Sequence, residues 1–325
     1  MKAWHIENIN DIKLVESTLQ RKPGEVKLKV SKVALSSTDI ASFMSENRDP
    51  IKVAGHSAIA HVSEADEDSG LRLGARVVIS PFIENREHGV PVVNTMGVDC
   101  EGLLQDFVCV PYENVFPLPD GITDEEAVFT EYIAMGIKVI ESLECDKGDY
   151  LVIVGASTIG LILGQLAAHY QMIPILIDLD SDKLELAEKW GIYYTLNPTY
   201  DNLERKVEEI TGGRMSDAAV FAGEGVGLNA ALRLVKNEGE VVIAGYSTHE
   251  KHQVDTDIIL KKQLEITGIR NGSGQISSAI NLLVNKIIHL DGIINRRVDF
   301  EDVKEVIDEC VKYPYQYNKI LITID

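Results

Sequence analysis

The stretch DYLVIVGASTIGLILGQLAAHY, residues 149–170, constrains the fold more than any other part of the chain. An unbroken apolar run, Leu151–Val154, is followed at once by Gly155, Ser157 and Gly160, and then by an apolar segment of helical length. A strand with no polar alternation is buried on both faces, as in the interior of a parallel sheet. The first glycine permits a tight turn, and the last lets helix and strand pack closely. The free N–H groups and positive dipole end of such a helix suit a pyrophosphate. Ser157 replaces the middle glycine of a G-x-G-x-x-G pattern. Serine is small and can donate a hydrogen bond, so the phosphate site is expected to survive. The residues of this turn taken as cofactor contacts are Gly155, Ser157, Thr158, Ile159 and Gly160.

A second apolar run, in MIPILIDLD (172–180), is closed by Asp178, 18 residues after Gly160. A carboxylate there accepts hydrogen bonds from ribose hydroxyls and repels a 2′-phosphate. Asp180 adds negative charge. The pattern therefore points to NAD(H) rather than NADP(H). Further strand–helix alternations (SDKLELAEKWG, DAAVFAG, GLNAALRLVKNEG, EVVIAGYS) extend it over residues 149–247, and a doubly wound parallel sheet follows.

The first third reads differently. KLKVSKVAL (27–35), ARVVIS (75–80) and LQDFVCVP (104–111) are β-branched runs punctuated by Gly and Pro, and EADEDSG (64–70) is an acidic loop. Thr123 and Glu126 have the spacing of a capping box and open a helical pattern, TDEEAVFTEYIAMGIKVIESL. The tail mixes both types, with helices at SSAINLLVNKII and EDVKEVIDECVKY and a last strand at NKILITID.

Composition narrows the function classes. A net charge of −20 disfavours nucleic acid and anionic membrane as partners. No apolar run approaches the roughly 20 residues of a membrane span, and the first residues lack the core of a signal peptide. Four cysteines without a CxxC pair read as free thiols of a reducing cytosol. The expectation is a cytoplasmic protein acting on a small molecule.

Seven segments, in this order, resemble the medium-chain dehydrogenase/reductase superfamily in its zinc alcohol and polyol dehydrogenase branch: VALSSTDI (33–40), VAGHSAIAHV (53–62), LRLGARVVI (71–79), CEGLLQDFVCVP (100–111), LPDGITDEEAVFTEYIAMG (118–136), VIVGASTIG (152–160) and EVVIAGY (240–246). The resemblance implies a GroES-like β-rich catalytic domain, residues 1–122 and 264–325, interrupted by a Rossmann domain, residues 123–263. It also implies a homo-oligomer. Within it Ser36 stands at the position of a zinc-ligating cysteine, His56 at that of a histidine ligand, and Glu131 at that of the third ligand. Asp39 matches the aspartate that orients the histidine, and Thr38 the hydroxyl that relays the substrate proton. Ser57 replaces a glutamate. The four-cysteine lobe that holds structural zinc is missing, with ENREHGVPVVNTMGVD in its place, so no structural zinc is expected.

Two good ligands, His56 and Glu131, leave a catalytic zinc open, since such sites use three protein ligands. Asp39 or Cys100 could be recruited to the shell, or two protein ligands with waters would hold zinc weakly and a vicinal diol substrate could complete it. Without metal, Thr38 and His56 would carry the proton chemistry, His56 having an ordinary pKa suited to neutral pH. Three functions stay open: a dehydrogenase of a secondary alcohol of polyol, sugar or cyclitol type; a metal-independent NADH-dependent reductase of an activated C=C or C=O bond; and a non-catalytic nucleotide-binding protein.

Overall fold

The computed structural model describes the chain except for residues 9–10, 37–38, 41–42, 44–50, 224–225, 246–252 and 314–316. Two compact units form. One comprises Met1–Glu131, Ile276–Asn285 and Leu290–Asp325, and the other Tyr132–Gln275 and Lys286–His289.

The first unit opens with an antiparallel pair, β1 (Lys2–Asn8) and β2 (Asp11–Glu16). Then come β3 (Glu25–Leu35), β4 (Ser57–Glu64), β5 (Arg76–Ile79), β6 (Phe82–Glu87), β7 (Val90–Thr95), β8 (Phe107–Pro111) and β9 (Val115–Pro117). Strand β3 shows why: Val26, Leu28 and Val30 are buried while Lys27 and Lys29 between them are more exposed, the period-2 pattern of a sheet with one wet face. Strands β6 and β7 pair as a hairpin, which is the structure taken by the segment in place of the cysteine-bearing lobe.

The capping box forms. Thr123 Oγ1 accepts from Glu126 N at 3.2 Å, and Glu126 Oε2 accepts from Thr123 N at 2.9 Å. The helical pattern that follows is not one helix: α1 (Asp124–Ala127) and α2 (Thr130–Glu141) are separated at Val128–Phe129. The Thr130 hydroxyl donates to Ala127 O at 2.6 Å, a local bond that competes with the helical ladder. The break places Glu131 in the first turn of α2.

The second unit alternates β10 (Tyr150–Val154), α3 (Thr158–His169), β11 (Ile173–Ile177), α4 (Ser181–Lys189), β12 (Tyr194–Leu196), α5 (Leu203–Ile210), β13 (Ser216–Phe221), α6 (Leu228–Leu234), β14 (Val235–Ile243), α7 (Thr256–Lys262) and β15 (Glu265–Gly268). All strand pairs in its sheet are parallel, in the order β12-β11-β10-β13-β14-β15. This is the doubly wound order of a dinucleotide-binding domain, with the switch point beside β10. Leu151 to Val154 of β10 are fully buried, as their unbroken apolar run requires.

The tail returns to the first unit through α8 (Ile276–Val284), β16 (Ile294–Asp299), α9 (Val303–Lys312) and β17 (Lys319–Thr323). The seven-stranded sheet has the order β16-β17-β3-β4-β5-β9, with β8 also on β3. Residues 123–131 stay with the first unit, and β15 is a full strand of the parallel sheet, so residues 264–275 stay with the second. Among the described residues no helix is long and apolar enough to cross a membrane.

Candidate active site

In the second unit the turn after β10 is built by close approach. Gly155 has φ +106°, and its N–H donates to Ile177 O at 2.8 Å. A Cβ on Gly160 would lie 1.9 Å from Gly155 O, so only glycine lets α3 start this close to the strand end. Ser157 caps α3: its Oγ accepts from Gly160 N at 3.4 Å and donates to Ala222 O at 2.6 Å. The serine hydroxyl thus ties the turn to the end of β13, and its proton is engaged there rather than toward a phosphate. Thr158 and Ile159 follow as the first helical residues.

Asp178, at the end of β11, is anchored by the same turn. Oδ2 accepts from Ala156 N at 2.6 Å, and Oδ1 accepts from Asp180 N at 2.8 Å. Each oxygen keeps a second lone pair for a hydroxyl. Asp180 caps α4, accepting from Asp182 N at 3.0 Å and Lys183 N at 3.4 Å. A glycine-lined turn, an open helix start and a fixed carboxylate fit the pyrophosphate and ribose of a dinucleotide.

In the first unit, five of the residues singled out above or replacing family residues meet in one buried cluster. Asp39 is its hub. Oδ2 accepts from Ser36 N at 2.8 Å and from Ser36 Oγ at 2.9 Å; Oδ1 accepts from Gly55 N at 3.1 Å and faces His56 Nδ1 at 3.0 Å. His56 Nε2 lies 3.3 Å from Glu131 Oε1, which also accepts from Ser57 Oγ at 3.1 Å. Both ring nitrogens of His56 face carboxylate oxygens, and only the imidazolium can donate at both. Thr38 lies outside the described residues.

Electrostatics follow from this packing. Burial alone would lower the pKa of His56; the charges of Asp39 and then Glu131, with their hydrogen bonds, overcome it and push the ring up to about 10. The ordinary value expected of His56 is therefore corrected: it is held as a cation at neutral pH. Burial would raise Asp39, but the His56 charge, its hydrogen bond and Lys319 hold it well below the usual carboxylate range.

Lys319 was not anticipated. It begins β17, is fully buried, and lies within electrostatic range of Glu131 and Asp39. Burial pulls its pKa down to about 8 against those two carboxylates. The sequence signal was slight: a lysine before an apolar strand is ordinarily a strand-end cation in water.

These residues do not fit a resident catalytic zinc with three protein ligands. The thiolate position is Ser36, whose hydroxyl donates to Asp39. Asp39 faces the other side of the imidazole from Glu131. Burial, then Asp99 and Glu101, raise the pKa of Cys100, and no contact joins it to this cluster among the described residues. Among the described residues no group of three His, Cys, Asp or Glu side chains is arranged to hold a metal ion.

Comparison with known proteins agrees with both units. The family model for an alcohol dehydrogenase GroES-like domain matches residues 22–120, and that for a zinc-binding dehydrogenase matches residues 158–285. An uncharacterized zinc-type alcohol dehydrogenase-like protein of Haemophilus influenzae is 25% identical over 98% of both chains. D-arabitol-phosphate dehydrogenase of Enterococcus avium is 24% identical over 93% of this chain and 90% of its own. A solved structure described as a short chain alcohol dehydrogenase of Escherichia coli CFT073, in complex with NADH, has the same fold, with a TM-score of 0.85 at 23% identity over 99% of both chains. The chain belongs to the medium-chain dehydrogenase/reductase superfamily, as an alcohol/polyol dehydrogenase-like oxidoreductase.

Proposed function

We propose that this protein is an NAD(H)-dependent oxidoreductase that interconverts a secondary alcohol of polyol, sugar or cyclitol type and the corresponding ketone. The observation that carries the cofactor reading is the Asp178 carboxylate, fixed by Ala156 N and Asp180 N beside the glycine turn. There it would accept the ribose hydroxyls and repel a 2′-phosphate. The start of α3 would receive the pyrophosphate on the N–H groups of Thr158 and Ile159. Bound nicotinamide supplies the acceptor, or the donor, of hydride. The polyol class is supported by relatives such as D-arabitol-phosphate dehydrogenase.

The remaining chemistry is a proton. Oxidation of an alcohol releases one from the hydroxyl, and reduction of a ketone takes one up. His56, oriented by Asp39 and faced by Glu131, is the group proposed to move it. As an imidazolium it donates to a ketone oxygen in reduction; as neutral imidazole it accepts the hydroxyl proton in oxidation. Thr38 is proposed to relay that proton.

A second reading, a metal-independent NADH-dependent reductase of an activated C=C or C=O bond, is favoured by Ser36 at the thiolate position. Absorbance of NADH, followed with panels of polyols, ketoses and conjugated carbonyls, separates the readings. Turnover of a polyol and its ketose supports the first, and turnover confined to conjugated substrates supports the second. Tight NADH binding without turnover across the panels would leave a nucleotide-binding protein.

A further inference from the structure

Asp178, the carboxylate expected to choose the dinucleotide, is gripped by a single peptide unit. Its Oδ1 accepts from the N–H of Asp180 at 2.8 Å. The carbonyl of that same peptide is Leu179 O, which accepts from Asn197 Nδ2 at 2.9 Å. A peptide is planar, so the direction of its C=O fixes the direction of its N–H. Asn197 therefore aims the donor that holds Asp178. The Leu179 side chain is half exposed, so little apolar burial is available to fix this loop instead.

Residue 197 suits the role by position and by type. It follows β12, whose last residue, Leu196, accepts from Asp178 N at 3.2 Å. It is buried, and its polar groups are engaged. Its N–H donates to Asp201 Oδ2 at 2.9 Å, its Oδ1 accepts from Thr199 N at 2.9 Å, and Nδ2 also donates to Ser181 Oγ at 3.1 Å. Because Thr199 N takes the amide oxygen, the amide nitrogen has to face Leu179 O and Ser181. An ionised aspartate could accept from Thr199 N but has no donor for the carbonyl, and alanine has neither.

We propose that Asn197 is a positioning residue for dinucleotide selection, acting through the Leu179–Asp180 peptide rather than on the cofactor. It keeps the Asp178 carboxylate where it accepts the ribose hydroxyls and repels a 2′-phosphate. This role presupposes NAD(H) as the cofactor. Without the amide the peptide is free to rotate, its N–H leaves Oδ1, and the carboxylate turns toward water. The ribose then loses a fixed acceptor, and a 2′-phosphate meets less negative charge.

The test is fluorescence titration of the full chain with NADH and with NADPH, the readout being the ratio of the two dissociation constants. Asn197→Ser keeps an acceptor for Thr199 N but is too short to reach Leu179 O. Its preference for NADH is expected to narrow by about fivefold, the equivalent of one net hydrogen bond. Asn202→Ala is the control: it removes the acceptor that caps Arg205 N at the start of α5 and does not touch the 178–181 loop. It should lower the urea midpoint and leave the ratio unchanged. A ratio for Asn197→Ser within about twofold of wild type would overturn the proposal, being less than a hydrogen bond's worth. Equal narrowing in Asn202→Ala would overturn it too, as a general effect of lost stability. Should Asn197→Ser fail to fold, Asn197→Thr, which fills the vacated space with a methyl group, is read in the same way. Failure of the cofactor reading shows itself separately: the wild type would bind neither nucleotide, or NADPH as tightly as NADH, and both claims would fall.

Discussion

His56 Nδ1 lies 3.0 Å from Asp39 Oδ1, and the opposite ring nitrogen lies 3.3 Å from Glu131 Oε1. An imidazole held between two buried carboxylates is stabilised as a cation. This sets the sign of the expected pH dependence. Alcohol oxidation needs the neutral ring, so its kcat/KM should rise from neutral pH toward about 10, the value to which His56 is pushed. Ketone reduction uses the imidazolium and should stay level over that range, then fall. A profile of oxidation that levels off near pH 6.5 would assign the proton to a different group. His56→Asn should lower turnover by roughly 100-fold or more.

Asp39 links the cluster to stability. Its folded-state pKa is depressed to about 2 from an ordinary 3.8. The stability it contributes is therefore present above pH about 4 and lost as pH falls toward 2. Asp39→Asn should remove that acid-sensitive contribution and leave buried cations under-compensated, at a cost of about 3–5 kcal/mol. Urea unfolding at pH 7 and in mild acid measures both; an unchanged midpoint at neutral pH would contradict the assignment.

Asp178 should govern the choice of dinucleotide. Asp178→Ala removes the ribose acceptor and strands the N–H of Ala156 and Asp180. NADH affinity is expected to fall at least about tenfold, and its preference over NADPH to shrink. The fluorescence of bound NADH and NADPH reports both. Preference retained in full by the variant would move specificity to another residue.

Gly160 and Ser157 should respond in opposite ways. Gly160→Ala forces a Cβ to within 1.9 Å of Gly155 O, so the turn must open and dinucleotide binding be lost. Ser157→Ala loses a cap, worth about 1 kcal/mol of stability. Because the Ser157 hydroxyl donates to Ala222 O, NADH affinity should stay within a few-fold. Calorimetric titration of both variants tests the contrast.

Much of the fold was legible because its signals are local. The apolar run of β10, its glycine turn and the alternation of β3 each depend on neighbours in sequence, so periodicity revealed them. The capping box of Thr123 and Glu126 is equally local. The break between α1 and α2 was missed because apolar periodicity does not register the Thr130 hydroxyl bonding back to Ala127 O. The pairing of β15 with β14 was not legible, because strand pairing across a sheet leaves no mark on the strand's own residues.

The sequence by itself determined the two kinds of architecture, the acidic end of β11 and the residue types at the family's ligand positions. Only the tertiary structure decided their charge states and company. Lys319 joins Asp39 and Glu131 from the opposite end of the chain, brought there by the pairing of β17 with β3. Ser57, read as a lost carboxylate, donates to Glu131 instead. A side chain's type travels with the sequence, whereas its protonation depends on burial and on the charges that folding brings within a few ångströms.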